Sequence, residues 1–151
     1  MITPKPDPEA NRLQCTIPAG FGHNRAFLTD LRRCLAQDGH AGAAGGAWEL
    51  VLAELLNNIV EHAYAGQDGK DIAIDAHWTM HALTVTLTDQ GVPMPGGCLP
   101  GSADTLATIS PETQPEGGFG WGLIHTLAQS LDYRRSDGRN RLRVVVRFDG
   151  R

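Results

Sequence analysis

Residues 48–64 read WELVLAELLNNIVEHAY and have the pattern of an amphipathic helix. Their apolar members recur at helical spacing, which is enough to bury one side of a helix against a sheet. On the other side Glu54 and Asn58 stand four residues apart, with His62 beside them. A polar stripe of this kind is typical of a solvated helix face, but it also places a carboxylate and a carboxamide one turn apart, where both can meet one ligand.

The length and composition predict one globular domain. The chain has 151 residues, 41% of them hydrophobic, and a formal net charge of −4. We expect a flexible lead-in at residues 1–11, which hold three prolines, and a single domain over residues 12–149. The negative charge gives no overall attraction to nucleic acid or to an anionic membrane. We expect a cytoplasmic protein, because no apolar run approaches the roughly 20 residues that span a bilayer and the N-terminus has no hydrophobic signal segment.

The basic residues are concentrated near the C-terminus. Seven of the 13 lie between Arg134 and Arg151. They fit a docking patch for protein or nucleic acid, but we favour a solvated sheet edge guarded by charge, because natural edges are commonly protected in this way. The six histidines and three cysteines show no zinc-ligand spacing, so we expect no structural zinc site.

The pattern outside residues 48–64 predicts strands and helices of an α/β domain. Apolar residues recur at helical spacing at 24–37. They alternate with polar residues at 13–17, at 71–76 and 83–87 as a hairpin, and at 132–135 and 141–148 around a turn at 137–140.

An acidic turn follows the strand at 83–87. Asp89 is succeeded by Gln90 and Gly91. A carboxylate at a strand end, followed by glycine, can meet a ligand at the rim of a sheet. An ordinary strand-terminating turn has the same sequence signature.

A long loop and a glycine cluster come next. Residues 92–118 show no clear periodicity, and loops of this length in compact domains are usually functional lids or disordered segments. We predict a lid at about 92–117, with a short helix near 103–109. The segment GGFGWGLIHTLAQSL then places Gly118, Gly120 and Gly122 at the start of an amphipathic helix, where backbone N–H groups and the helix dipole favour an anion. It matches neither the dinucleotide fingerprint nor a P-loop.

Taken in order, these features resemble the ATP-binding domain shared by histidine kinases, DNA gyrase, Hsp90 and MutL. The resemblance rests on ELLNNIVEHAY, DQG and GGFGWGLI, and extends from about Leu13 to Phe148. Within that superfamily the chain looks most like the bacterial anti-sigma factor serine kinases of the RsbW and SpoIIAB group. This likeness implies a two-layer α/β sandwich of the Bergerat type, with a mixed, largely antiparallel sheet covered on one face by helices and an ATP lid.

The resemblance also assigns roles to residues. It implies that Asn58 binds the Mg²⁺ of bound ATP and that Glu54 is the general base. It implies that Asp89 hydrogen-bonds the adenine amino group and that Gly91 lets the base approach. The nucleotide-binding residues that it implies further are His62, Gly118, Gly120, Gly122 and Leu123. A hard cation with oxygen ligands and a carboxylate one turn away suit phosphoryl transfer.

Two departures from the family pattern stand out. Pro93 follows the DQGV turn at a position where many relatives have another small residue or glycine, and we expect a base pocket of a different shape. No lysine or arginine occurs between Asp71 and Tyr133, so the lid has no cation of its own to stabilise a transferring phosphoryl group.

The leading hypothesis is a serine/threonine protein kinase that phosphorylates a STAS-type antagonist and otherwise binds a sigma factor, commonly as a homodimer. The alternative is a nucleotide-dependent switch that binds partners with little or no phosphoryl transfer, which the cation-free lid favours. The catalytic domain of a split histidine kinase is a third hypothesis, which we do not favour because the chain has no dimerisation helix pair with a phosphorylatable histidine.

Overall fold

The helices and strands follow the order that the sequence predicts. The computed structural model describes residues 11–39, 46–100 and 118–148. Its strands are β1 (Asn11–Pro18), β2 (Asp71–Trp78), β3 (Ala82–Asp89), β4 (Ser130–Ser136) and β5 (Arg139–Arg147), and its helices are α1 (Phe21–Gln37), α2 (Ala47–Asn58) and α3 (Gly118–Leu127). No helix among these residues is long and apolar enough to cross a membrane. The predicted helix at 103–109 and most of the predicted lead-in lie outside the described residues.

The five strands form one sheet in the order β1-β2-β3-β5-β4, and every neighbouring pair is antiparallel. β2 and β3 form the predicted hairpin. β4 and β5 form a second hairpin through Asp137 and Gly138, whose φ angles are 53° and 74°. A two-residue turn with two positive φ angles has the twist that paired strands require, and Asp-Gly is a favoured pair for it.

One face of this sheet is buried against the helices. Alternate residues of the three central strands form the buried face: Ile72, Ile74, Ala76, Trp78, Leu83, Val85, Leu87, Leu142, Val144 and Val146. They belong to one core with the apolar stripes of α1 and α2, in which Leu31, Leu35, Val51, Leu52 and Leu56 are fully buried. The predicted two-layer α/β sandwich is therefore confirmed, with an antiparallel sheet.

The helix predicted at 48–64 changes its geometry after Asn58. Residues Ile59–Ala63 form a π-helix, in which the backbone N–H of Tyr64 donates to the carbonyl of Ile59 over 2.9 Å. The helix ends at Ala63, whose carbonyl has no helical partner and accepts a hydrogen bond from the N–H of Val92 at 2.9 Å. Single π-turns in α-helices are frequent at functional sites.

The position of β5 contradicts the edge interpretation of its arginines. β5 pairs with β3 on one side and with β4 on the other, so β1 and β4 are the edges of the sheet that the described residues form. Arg141 and Arg143 are exposed because they point to the open face, opposite the helices. Charge protection of an edge applies to a strand with unpaired backbone groups, and β5 is paired on both sides.

Candidate functional site

Glu54 and Gly120 bring α2 and α3 into contact. A Cβ atom added at Gly120 would overlap Oε2 of Glu54, so glycine lets the carboxylate take this position and a larger residue would displace it. Gly120 is in the first turn of α3, where backbone N–H groups lack helical partners and the dipole favours negative charge. The glycine cluster therefore receives a carboxylate at the place where the sequence predicts an anion.

Asn58 ends α2 one turn beyond Glu54 and is half-buried. Its Nδ2 atom is buried and has no hydrogen-bond partner among the described residues. No described residue donates to its Oδ1 atom, which is thus the amide atom available to a cation. An amide oxygen is the type of ligand that Mg²⁺ accepts when phosphate oxygens and water supply the rest of its shell.

The chain offers no complete protein cage for a metal within the described residues, where no group of three or more His, Cys, Asp or Glu side chains is close enough to bind an ion. A site of one amide oxygen and one nearby carboxylate is consistent with Mg²⁺, which is usually bound by few protein ligands together with substrate phosphates. Asn58 and Glu54 therefore fit the metal that the family resemblance implies.

Residues of α1 support this end of α2. Asn24 is 1% exposed, and its Nδ2 donates to Oδ1 of Asn57 at 3.0 Å. Nearer the start of α2, Nε of Arg32 donates to Oε1 of Glu49 at 2.8 Å. These two links fix α1 against α2 on either side of Glu54 along the helix.

Asp89 lies at the end of β3, directly opposite Asn140 on β5, and the two are 4% and 5% exposed. Oδ1 of Asp89 accepts from Nδ2 of Asn140 and from the N–H of Gly91, both at 2.9 Å. No described residue donates to Oδ2, so this acceptor is available to a ligand. Burial raises the pKa of Asp89, against the opposing effects of Asn140, the Gly91 N–H and Arg135.

The Asn140 amide has one orientation because all of its atoms are engaged. Besides Asp89, Nδ2 donates to the carbonyl of Val92 at 2.8 Å. Oδ1 accepts from the hydroxyl of Tyr133 at 2.6 Å and from Nη1 of Arg135 at 3.1 Å. A buried amide whose donors and acceptor are all hydrogen-bonded is held in one position. Asn140 therefore orients Asp89.

Gly91 lies against the last residue of the π-helix, where there is no room for a Cβ atom. A Cβ atom at this position would overlap the carbonyl group of Ala63, which binds the next residue of the turn, Val92. The sequence predicts that Gly91 lets the adenine base approach, and the structure shows that it also lets the backbone of the ELLNNIVEHAY segment approach. The ELLNNIVEHAY and DQG segments meet here.

Tyr64 holds the DQG turn through a hydrogen bond to Gln90. Its side chain is 3% exposed, and its hydroxyl accepts from the N–H of Gln90 at 2.9 Å and donates to the carbonyl of Asp71 at 2.5 Å. Burial raises the pKa of Tyr64, which keeps the hydroxyl protonated and able to donate.

The first residues of the predicted lid are attached to the domain. The N–H of Met94 donates to the hydroxyl of Tyr133 at 2.9 Å, and Leu99 is 8% exposed. The His125 ring contacts the carbonyl of Pro100 through Nε2 at 2.8 Å. The rest of the predicted lid, 101–117, lies outside the described residues.

The other predicted site residues lie in or beside these elements. Gly118 begins α3, and Gly122 and Leu123 follow Gly120 in it. A Cβ atom at Gly122 would meet no atom within 4 Å. His62 lies in the π-helix with 63% of its side chain exposed, and its nearest charged partner is Glu61, with 3.7 Å between Nε2 and Oε2.

Sequence reasoning missed Tyr64, Tyr133, Arg135 and Asn140 as parts of the site. Tyr64 is the last residue of ELLNNIVEHAY, so its place in that motif could have indicated a role in the site. Asn140 and Arg135 depend on the register of β3, β5 and β4, which puts Asn140 opposite both Asp89 and Arg135. The Asp137 and Gly138 turn sets the register between β4 and β5, but no local pattern encodes the register between β3 and β5.

Comparison with known proteins agrees with this geometry. The profile of the histidine kinase-like ATPase domain family matches residues 17–146. No curated protein matches the chain. The matched region contains the whole of the α2, DQG and α3 site, and the chain belongs to the family of proteins with a histidine kinase-like ATPase domain.

Proposed function

We propose that this protein is an ATP-dependent serine/threonine protein kinase that phosphorylates an antagonist protein and binds a sigma factor. The observation that carries the proposal is the position of Glu54, whose carboxylate lies at the N-terminus of α3 one turn from Asn58. ATP binding follows from membership of the ATPase family. The kinase reaction and the two partners are inferences from the residues in the site and from the resemblance to anti-sigma factor kinases.

Each residue has a physical role in this proposal. Oδ2 of Asp89 accepts a hydrogen bond from the amino group of adenine, which distinguishes ATP from GTP because guanine presents a carbonyl oxygen at that position. Glu54 accepts the proton of the attacking hydroxyl as it approaches the γ-phosphate. Asn58 would hold Mg²⁺, which neutralises charge on the phosphate oxygens when bound. The N-terminal turn of α3 supplies N–H donors to the same phosphates.

Nucleotide titration by calorimetry tests the binding step. We expect ATP to bind only with Mg²⁺, and GTP to bind about 5- to 100-fold more weakly, since Asp89 loses its donor. Asn58→Ala is expected to abolish ATP binding in the presence of Mg²⁺. Glu54→Gln is the matched variant that keeps size and hydrogen-bonding capacity and should still bind ATP. Equal affinity for ATP and GTP would contradict the role of Asp89.

Single-turnover phosphoryl transfer tests the chemical step. Radiolabelled ATP is mixed with the protein and with STAS-domain proteins of the same organism. We expect a phosphoserine or phosphothreonine product, and a loss of about 10²- to 10⁴-fold in Glu54→Gln if Glu54 is the base. Transfer at the wild-type rate by Glu54→Gln would eliminate that assignment.

A nucleotide-dependent switch without phosphoryl transfer is the second candidate. The absence of lysine and arginine between Asp71 and Tyr133 favours it. Arg135, the second basic residue after that interval, does not make up for this absence, because its Nη1 donates to the carbonyl of Gly91 at 2.6 Å in the turn beside Asp89. Nucleotide-dependent partner binding with no transfer, in wild type and Glu54→Gln alike, would favour the switch.

A further inference from the structure

The open face of the sheet carries two arginines that neither the fold nor the nucleotide site explains. Arg141 and Arg143 alternate with the buried residues Asn140, Leu142 and Val144 and are exposed on the side opposite the helices. Because β5 is paired on both sides, these arginines do not protect an edge.

The arginines form one wall of a shallow depression. Across the strands, Thr88 and Thr86 of β3 stand beside Arg141 and Arg143. These short side chains, with Ala73 of β2 next to Thr88, form the floor of a depression of about 690 Å³. Because the central side chains are short and the arginines beside them are long, a segment of a partner protein has room to lie across this face of the sheet.

The charges on this face leave a positive surplus. Arg12 binds Asp75 through two hydrogen bonds of 2.9 and 2.7 Å, and Nε of Arg134 donates to Asp132 at 3.1 Å. Arg141 and Arg143 form no ion pair with any described residue. Two of the four arginines that line or border the depression are therefore neutralised, and two are available, in a chain whose formal net charge is −4.

The spacing of the available arginines defines their ligand. Residues two apart on a strand lie on one face about 7 Å apart. The Cβ atoms of residues four apart on a helix are separated by about 6 Å, so two acidic side chains of one helix can pair with both guanidinium groups at once. Guanidinium and carboxylate are matched for such bidentate hydrogen bonding.

We infer that this face is a docking surface for an acidic polypeptide segment of a partner protein, held by Arg141 and Arg143. A second copy that presented the same face would bring one positive surplus against another. A nucleic acid would bring its phosphates against Asp75 and Asp132, and the described residues lining the depression include no aromatic side chain on which a base could stack. The inference is independent of the proposed kinase activity, because none of these residues belongs to the Glu54 and Asn58 site.

Nuclear magnetic resonance titration of the ¹⁵N-labelled protein tests the inference. The probe is a helical peptide with glutamate at every fourth position, and the control peptide has glutamine there. We expect the glutamate peptide alone to shift the amide signals of Thr86, Thr88, Arg141 and Arg143, with an affinity that falls at high salt. The double variant Arg141→Gln/Arg143→Gln should bind about tenfold more weakly or worse.

The matched control is Arg25→Gln/Arg33→Gln, which makes the same change in net charge on exposed residues of α1. It should bind the glutamate peptide as the wild type does, and both double variants should keep the wild-type affinity for ATP. Equal peptide binding by the two double variants would overturn the inference. So would tighter binding of oligothymidylate to the same amides, or self-association, measured by sedimentation, that the Arg141→Gln/Arg143→Gln variant loses.

Discussion

Asn140 donates a hydrogen bond of 2.9 Å to Asp89 from the strand directly opposite, and both side chains are buried on the helix-covered face of the sheet. The pairing occupies one carboxylate oxygen and leaves the other for a ligand. Since Asn140 is itself held by Tyr133 and Arg135, the direction in which Asp89 presents its free oxygen is set by β4 and β5.

Replacing Asn140 should therefore disturb both stability and base binding. Asn140→Leu removes one hydrogen bond each from Asp89, the carbonyl of Val92 and the hydroxyl of Tyr133. Asp89 keeps the N–H of Gly91 and Tyr133 keeps that of Met94, and we expect a loss of about 3 kcal/mol in the free energy of unfolding. Urea denaturation measures it. Arg139→Leu, at an exposed position of the same strand, is the control and should change stability by less than about 0.5 kcal/mol.

Asn140→Asp should make stability strongly dependent on pH. Two buried carboxylates at hydrogen-bond distance favour sharing one proton, so we expect this variant to approach wild-type stability near pH 4.5 and to lose it by pH 8, with the range set by such carboxyl pairs. Thermal unfolding across this range checks the result. A pH profile parallel to that of the wild type would show that the two side chains are not in contact.

As pH rises, ionisation of Asp89 should lower the stability of the fold and raise the affinity for adenine. Its folded pKa is raised by burial, so between the unfolded and folded values the folded state holds more protons and stability falls as pH rises. Binding of an adenine amino group needs the ionised carboxylate, so affinity falls as pH drops through the raised folded pKa. Adenosine is the suitable probe because it has no phosphate to titrate, and Asp89→Asn should show neither trend.

Gly91→Ala should destabilise the fold although an alanine is otherwise a mild substitution. The new Cβ overlaps backbone atoms of Ala63, which cannot rotate away, and we expect a loss of about 2–3 kcal/mol. Gly122→Ala is the contrasting variant: its Cβ meets nothing within 4 Å, and alanine in a helix should add about 0.5–1 kcal/mol. If Gly122 also lines the phosphates, the stabilised variant will bind ATP more weakly.

Tyr64→Phe tests whether the hydroxyl of Tyr64 holds the DQG turn in place. Removing the hydroxyl leaves the N–H of Gln90 and the carbonyl of Asp71 unpaired, for an expected loss of about 1–3 kcal/mol and weaker adenosine binding. Thr29→Val removes an exposed hydroxyl on α1 that bonds the carbonyl of Arg25 and should change neither property. Unchanged adenosine affinity in Tyr64→Phe would remove Tyr64 from the site.

The sequence predicted the elements well because their signals are local. Alternation on β2, β3 and β5 and helical spacing on α1 and α2 each reflect one buried face, and the Asp137 and Gly138 turn is a short-range hairpin signal. Glu54, Asn58 and Asp89 were found because they follow or interrupt such patterns. Their roles in catalysis and binding remain predictions.

What the sequence did not predict depends on contacts between distant segments. The strand order places β5 inside the sheet, so Arg141 and Arg143 do not protect an edge. The register between β3 and β5 places Asn140 opposite Asp89. The π-helix was missed because its five residues, IVEHA, have the same apolar and polar pattern as an α-helical turn.

The π-helix makes the number of residues between Asn58 and Tyr64 a property of the site. Removing one residue from Ile59–Ala63 would restore an α-helix, and each residue rotates the chain by about 100° about the helix axis. The carbonyl that now receives Val92 would point elsewhere, and the DQG turn would lose its attachment to α2. Within this segment a substitution is therefore easier to accommodate than a deletion, even one of an exposed residue such as His62.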